Sequence, residues 1–344
     1  MRLIAAVIAS IVASTLCVPA SAQDTVVRIG QGVPTLSFLP PLAARALDTF
    51  KDQGLRLEFV SIRGGDPATL AALDAGDIDF AATGSDTALE AIVKGQPFEI
   101  MYSLMSQVTL DLVVSHDLLK RTGVKPSDPL ARRLSVLKGA TIGVSAVGGT
   151  QDRAARWLAA QGKLNPQTDI KVVQIGPPPA IQAALDHGQI DGFVLSPPEG
   201  ALSEQNGSGQ VLIRMGTEFA NLHSLPYLVL VAKKPMSAKQ RDLAVRTARA
   251  LQAASQRTFK DPAAVGGLIQ QKFYPKLKPD LIIAGVTAMR DGIAGNGQLT
   301  QAMIGHLLTF TTATGGELGR LTASSSGPDA FWTNSIVAAA SKPK

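Results

Sequence analysis

The sequence predicts a duplicated α/β fold, with two lobes that each carry a mostly parallel sheet flanked by helices. Three observations predict it. Short apolar strands alternate with amphipathic helices, and one such pattern occurs twice, about 112 residues apart. The chain of 344 residues is also long enough to build two separate cores.

The first copy opens with Val26 to Gly30 as a short strand. Leu39, Leu42, Ala43, Ala46, Leu47 and Phe50 then recur at helical spacing, with Arg45, Asp48 and Lys51 off the stripe. Gly54 ends that helix, and Leu55 to Ser61 alternates as a strand. Gly64-Gly65-Asp66-Pro67 reads as a turn in which Asp66 caps a helix with Pro67 at its first position. That helix ends by Gly76, Ile78 to Ala82 follows as a strand, and a helix runs from about Thr87 to Val93.

The second copy starts at Thr141 to Val144, again a strand, followed by a Gly-rich turn from Ser145 to Thr150. Gln151 to Gln161 is a helix, Asp169 to Ile175 a strand, and Pro177-Pro178-Pro179 leads into a helix ending near Gly188. Ile190 to Val194 is the closing strand. The echo is direct: Leu73-Asp74-Ala75-Gly76-Asp77-Ile78-Asp79 matches Leu185-Asp186-His187-Gly188-Gln189-Ile190-Asp191. Each copy is therefore expected to be a right-handed βαβ unit.

Leu110 to Val114 and Tyr227 to Ala232 are further strands, placed where the chain passes between lobes, near 105–110 and 218–226. Beyond Met236 the chain reads as helical: Ser237 caps a long segment to about Phe259, and Asp261-Pro262 starts another. Two more helices are expected between Gly285 and Leu308. The expected division is 23–108 with 226–344 as the first lobe and 109–225 as the second.

Residues 1–22 read as an export signal. Met1-Arg2 is positive, Leu3 to Val18 is apolar, and Ala20-Ser21-Ala22 supplies small residues for cleavage before Gln23. About sixteen apolar residues are short for a membrane span. Cys17 follows Leu16 rather than a small residue, which argues against lipidation. Cleavage would remove the single cysteine, leaving the mature chain without disulfide or thiolate chemistry. The formal charge of +6 would fall only to about +5. With few aromatics and no arginine-rich block, nucleic-acid binding has little support; the surplus weakly favours anionic solutes.

In a doubly wound sheet, ligands sit beyond the carboxyl ends of the strands, where N–H groups at helix starts are unpaired. The second lobe puts Ser145, Gly149 and Thr150 there, and the first lobe puts Gly84, Ser85 and Asp86. Simple helix capping explains each loop taken alone; two equivalent loops in facing lobes favour a shared ligand. Thr35 and Ser37 follow the first strand into the same region. Arg63 with Gly64 and Gly65 either meets an anionic group or is merely exposed. Arg153 lies in a first helical turn, where the helix dipole disfavours it; a nearby anion would offset that, as would Asp152. Pro197 stiffens a turn, and Glu199 either accepts from a ligand amine or faces solvent.

Other chemistries find little support. No phosphate-loop motif follows a strand. His116, His187, His223 and His306 are scattered, with no zinc-type pair, although His223 lies near a lobe crossing. No G-x-S-x-G elbow is present. No cofactor and no metal are expected, and no catalytic set is evident.

At these loops the chain resembles the periplasmic substrate-binding proteins of ABC importers for nitrate, sulfonates, taurine and pyrimidine-like compounds, a family related to thiamine-pyrimidine synthesis proteins. The resemblance spans the mature chain. It rests on the Gly64-Gly65 turn, Ile78-Asp79-Phe80, Thr83-Gly84-Ser85, Leu137-Lys138-Gly139, Ile142-Gly143-Val144-Ser145, Gly148-Gly149-Thr150, Gln189-Ile190-Asp191-Gly192 and Phe331-Trp332-Thr333-Asn334-Ser335. It implies a type II periplasmic-binding-protein fold with two hinge crossings, with Ser37, Gly64, Ser85, Ser145, Thr150 and Pro197 lining the cleft. Family members often carry Trp or another bulky residue where this chain has Ser196, which implies a roomier or more polar pocket. The expected function is non-enzymatic: a monomeric periplasmic receptor capturing a sulfonate-, carboxylate- or pyrimidine-like solute for an inner-membrane ABC permease. The alternatives are an enzyme of the thiamine-precursor type, for which clustered histidines are missing, and a subunit presenting ligand to a membrane receptor.

Overall fold

The computed structural model describes residues 24–32, 35–313 and 327–342. The expected export signal, its cleavage site and Cys17 lie outside the described residues. Two five-stranded sheets organise the chain. The first contains β1 (Thr25–Gln31), β2 (Leu55–Ser61), β3 (Phe80–Gly84), β4 (Phe98–Met105) and β10 (Leu228–Lys233), in the order β2-β1-β3-β10-β4. The second contains β5 (Asp111–Ser115), β6 (Thr141–Val144), β7 (Lys171–Gln174), β8 (Gly192–Leu195) and β9 (Gly209–Arg214), in the order β7-β6-β8-β5-β9.

The orders correspond strand for strand. In the first sheet β1 pairs in parallel with β2 and β3, while β10 runs antiparallel between β3 and β4. The second sheet repeats this with β6 parallel to β7 and β8, and β5 antiparallel between β8 and β9. The mostly parallel expectation thus resolves into mixed sheets, each with one reversed strand. That strand comes from the chain just after it leaves the other sheet: β5 follows β4, and β10 follows β9.

The two passages run side by side. The Val108 N–H donates to Leu222 O over 3.1 Å, Leu225 N–H to Ser106 O over 2.9 Å, and Ser106 N–H to Gly292 O over 2.7 Å. Gly216 makes this approach possible, since a Cβ there would stand 2.0 Å from Val108 O. The C-terminal helices brace the junction. Trp157, on the helix Thr150–Gln161, stacks edge-on against Phe219 at 4.7 Å and tilted against Phe310 of the helix Gln301–Thr312 at 5.7 Å. Trp157 is fully buried, so this cluster contributes several kcal/mol by the usual scale for large aromatics (~3–5 for truncation to Ala).

Local chemistry accounts for most boundaries. Ser237 forms a capping box with Gln240 at the head of Ala238–Lys260, and Asp261 caps Pro262–Phe273. Two local expectations are corrected. The helix expected over Leu39 to Phe50 stops at Ala46 and continues as a short 3₁₀ turn, Lys51–Gln53, closed by Gly54 at φ 63°. Asp66 does not cap: Gly64, at φ 103°, precedes the helix Gly65–Ala75, and the Asp66 carboxylate is directed elsewhere. β4, β9 and the helices His116–Thr122 and Glu199–Asn206 are not among the expected elements, although Ser115 caps the first helix and Gly123 and Gly207 end the two helices in left-handed conformations. Among the described residues no helix is long and apolar enough to cross a membrane.

Candidate functional site

The carboxyl ends of β3 and β6 face one another. Strand β3 delivers Gly84 into the helix Ser85–Val93, and β6 leads through Ser145 to Gly149 into the helix Thr150–Gln161. Small residues let these loops meet. A Cβ on Gly84 would lie 1.7 Å from Thr150 Oγ1, and one on Gly65 would lie 2.7 Å from the Ala146 Cβ. Gly65 itself adopts φ 72°, a conformation suited to glycine.

Across this contact the Thr150 hydroxyl lies 2.6 Å from Asp86 Oδ1 and 3.1 Å from Asp66 Oδ2. With one proton, the hydroxyl donates mainly to the nearer acceptor. Burial pushes the Asp66 carboxyl up to about 6; the Asp86 charge adds to this, and bonds from Thr150 and Gly84 oppose it. Arg153 Nε is 3.0 Å from Asp86 Oδ2, and its Nη2 bonds both Glu90 and, at 2.9 Å, Gly148 O. Burial works against the Arg153 charge, but Asp86 and Glu90 outweigh it and raise its pKa. The anion expected beside Arg153 is therefore supplied by the facing sheet's own carboxylates. Asp152 stays local, accepting from the Gly148 N–H at 2.8 Å and from Arg156. Ser145 Oγ is buried without a partner among the described residues.

A second group lies along the same gap. Thr35 and Ser37 are buried and joined by a short hydroxyl–hydroxyl bond. Pro197 approaches Gly285, whose would-be Cβ lies 3.7 Å from it and 2.8 Å from Leu36. Ser196 Oγ is 3.0 Å from Thr109 Oγ1, and the Tyr227 hydroxyl bonds both. Burial raises the Tyr227 pKa, those bonds oppose it, and the charges of Asp66 and Asp86 add to it, so Tyr227 ties the two groups together. Glu199 does not face solvent: it is 8% exposed, Oε2 has no partner among the described residues, and burial pushes its carboxyl up to about 8.

The structure therefore brings Gly65, Gly84, Ser85, Asp86, Ser145, Gly149, Thr150 and Arg153 into one contact, and Thr35, Ser37, Pro197 and Glu199 near a second. Arg63 is exposed, and Gly64 serves the turn. Sequence reasoning missed Asp66, Glu90, Thr109 and Tyr227 as cleft residues. Asp66 beside a double glycine was the available signal; Tyr227 was hidden as the first residue of an expected strand. Among the described residues no group of three or more His, Cys, Asp or Glu side chains is arranged to hold a metal ion.

Comparison with known proteins places this geometry. A profile of the NMT1-like family matches residues 20–266. A putative binding protein, YtlA of Bacillus subtilis, is 24% identical over 233 residues; the match spans 67% of this chain and 66% of that protein, just under two thirds of its length. A solved structure from Bordetella bronchiseptica RB50 superposes with a TM-score of 0.77 at 23% identity, covering 92% of this chain and 97% of that one. The ligand-binding component of an ABC-type import system from Staphylococcus aureus, solved with zinc bound, superposes at 0.69 with 18% identity, covering 93% and 100%. The chain belongs to the NMT1-like family, and its two mixed sheets joined by paired crossings have the type II periplasmic-binding-protein architecture.

Proposed function

We propose that the protein is an extracytoplasmic receptor that closes on a small organic solute between its two sheets and hands it to an inner-membrane ABC permease. One observation carries the reading: Thr150 and Arg153 from one sheet's loop engage Asp66, Asp86 and Glu90 from the other. These bonds exist only when the two units are together, which is what a hinged capture protein requires of its closed state. The paired crossings at 105–111 and 214–228 supply the hinge, and the family and fold support the same reading. The matched import component from Staphylococcus aureus supports the permease as partner, and the expected signal over 1–22 supports export.

Calorimetry against sulfonates, carboxylates and pyrimidines, with small-angle scattering to follow compaction, tests it. A solute that binds tightly and reduces the radius of gyration is the expected outcome. A protein that neither binds any of these nor changes shape would not be such a receptor.

A further inference from the structure

Beside the gap, the first sheet carries a cavity of about 250 Å³ that none of the Gly-rich loops line. Gln31 and Ser61, the last residues of β1 and β2, and Thr35 form its polar side; Phe59, Phe273 and Tyr274 form its apolar side. It thus opens at the carboxyl ends of two parallel strands, the end at which open α/β sheets take ligands. At about 30 Å³ per water, it has room for roughly eight waters or one small organic molecule.

Arg45 projects into it. Its Cζ lies 4.9 Å from the Phe59 ring centroid and 4.3 Å from that of Phe273. No carboxylate or carbonyl among the described residues accepts from its guanidinium. The nearest acid along the chain, Asp48, is instead paired with Lys272 at 3.4 Å, and Lys272 also bonds Ala46 O. The guanidinium is therefore a positive charge held in place by aromatic rings, partly removed from water, and without an anion. With rings against it, its N–H edge is what remains to bond. Tyr274, at the cavity wall, feels the charges of both Arg45 and Glu199, which brings this compartment alongside the gap where Glu199 lies.

We infer that this cavity receives the solute's charged end, and that the solute is a small monocarboxylate with a compact apolar body, bound edge-on by Arg45. A planar carboxylate matches the free edge of a guanidinium with two parallel bonds. A dianion would lose more hydration than a single guanidinium restores, and an amine would meet like charge. The inference rests on the receptor reading above and adds the solute class and the residue that selects it.

Matched sets of short-chain and single-ring monocarboxylates, with the corresponding sulfonates, amides and amines, are titrated into the full mature chain. The expected result is that a carboxylate binds roughly ten- to a hundredfold tighter than its own amide and sulfonate, and that Arg45→Met abolishes this preference. Ser61→Trp, at an exposed cavity-lining position, leaves Arg45 intact but fills the space and is expected to weaken the same carboxylate at least as much, so the result stands even if Arg45→Met folds poorly. If sulfonates, amides or amines bind best, or Arg45→Met keeps the carboxylate affinity, the inference is overturned while the receptor reading survives. If no solute of any class binds and the protein does not compact, both are overturned.

Discussion

Thr150 Oγ1 and Asp86 Oδ1 lie 2.6 Å apart across the gap between the two sheets, although 64 residues separate them. The bond joins the start of the helix after β3 to the start of the helix after β6, and Asp66 shares the same hydroxyl. Replacing Thr150 with Val keeps the shape and removes the hydroxyl that stands between two buried carboxylates. The closed form should lose about 1–3 kcal/mol relative to the open one, with the solute dissociation constant rising by the corresponding factor. Scattering of the solute-free variant should show a larger radius of gyration. An unchanged closed fraction would mean that the hydroxyl is incidental.

Gly84 provides a steric version of the same test. Its φ of −64° suits any residue, so Gly84→Ala leaves β3 and its helix unstrained. The new methyl would stand 1.7 Å from Thr150 Oγ1 and 2.6 Å from Asp86 Oδ1, which forces both side chains out of their bond, and 3.0 Å from Thr150 Cβ, a contact that rotation does not relieve while the loops touch. The variant is expected to melt like the wild type, to stay open by scattering, and to bind solute at least tenfold more weakly by the arithmetic of lost closure. Normal compaction on adding solute would show that the closed arrangement differs from the one described.

Much of this arrangement was legible in the sequence, for a physical reason. The repeat of Leu73 to Asp79 at Leu185 to Asp191 is a local pattern of helix end, turn and strand. Ser85 and Thr150 stand out as hydroxyl residues beside glycine at strand ends, but the expectation that their loops are equivalent is corrected: Ser85 follows β3, the counterpart of β8, whereas Thr150 follows β6, the counterpart of β1. Partners across the gap carry no such local mark. Asp66 has the spacing of a helix cap, and only the approach of Thr150 in three dimensions gives it a different role. Arg45 lies off the apolar stripe of its helix and reads as a surface cation until Phe59 and Phe273 are folded against it. Glu199 follows a double proline, where solvent is the simplest expectation, and tertiary packing buries it.

Asp66 makes stability depend on pH in a defined window. Its folded-state pKa of about 6 exceeds the ordinary 3.8, so between these values the folded protein keeps a proton that the unfolded chain has lost. Rising pH therefore lowers stability across that window, by ~1.4 kcal/mol per pH unit at most and ~3 kcal/mol in total, and adds nothing above it. Asp66→Asn removes the effect. The melting temperature of the variant minus that of the wild type should climb from pH 4 through pH 6 and level off by about pH 7. A difference that stays flat over this range would show that Asp66 titrates normally.

Glu199 makes a separate test that reaches to higher pH, because its carboxyl is pushed up to about 8 from 4.5 and Oε2 has no partner among the described residues. At pH 4 both the folded and the unfolded chain hold the proton, so Glu199→Gln, which preserves shape and polarity, should barely alter stability there. As pH rises from 4.5 through 8 the unfolded chain releases its proton first, and the wild type loses stability that the variant keeps. By pH 9 the variant should be the more stable by a few kcal/mol, accumulated at about 1.4 kcal/mol per pH unit across that window. Asp66 is present in both the wild type and Glu199→Gln, so its titration cancels in their difference, the widening belongs to Glu199, and chemical denaturation at pH 4, 7 and 9 reads it directly. Should a bound solute accept a hydrogen bond from the protonated carboxyl, as the side chain's position beside the gap allows, the wild type would bind that solute more weakly as pH rises through 8. Glu199→Gln would show no such dependence, and a wild-type affinity that stays constant from pH 7 to pH 9 would place Glu199 outside the bound molecule's reach.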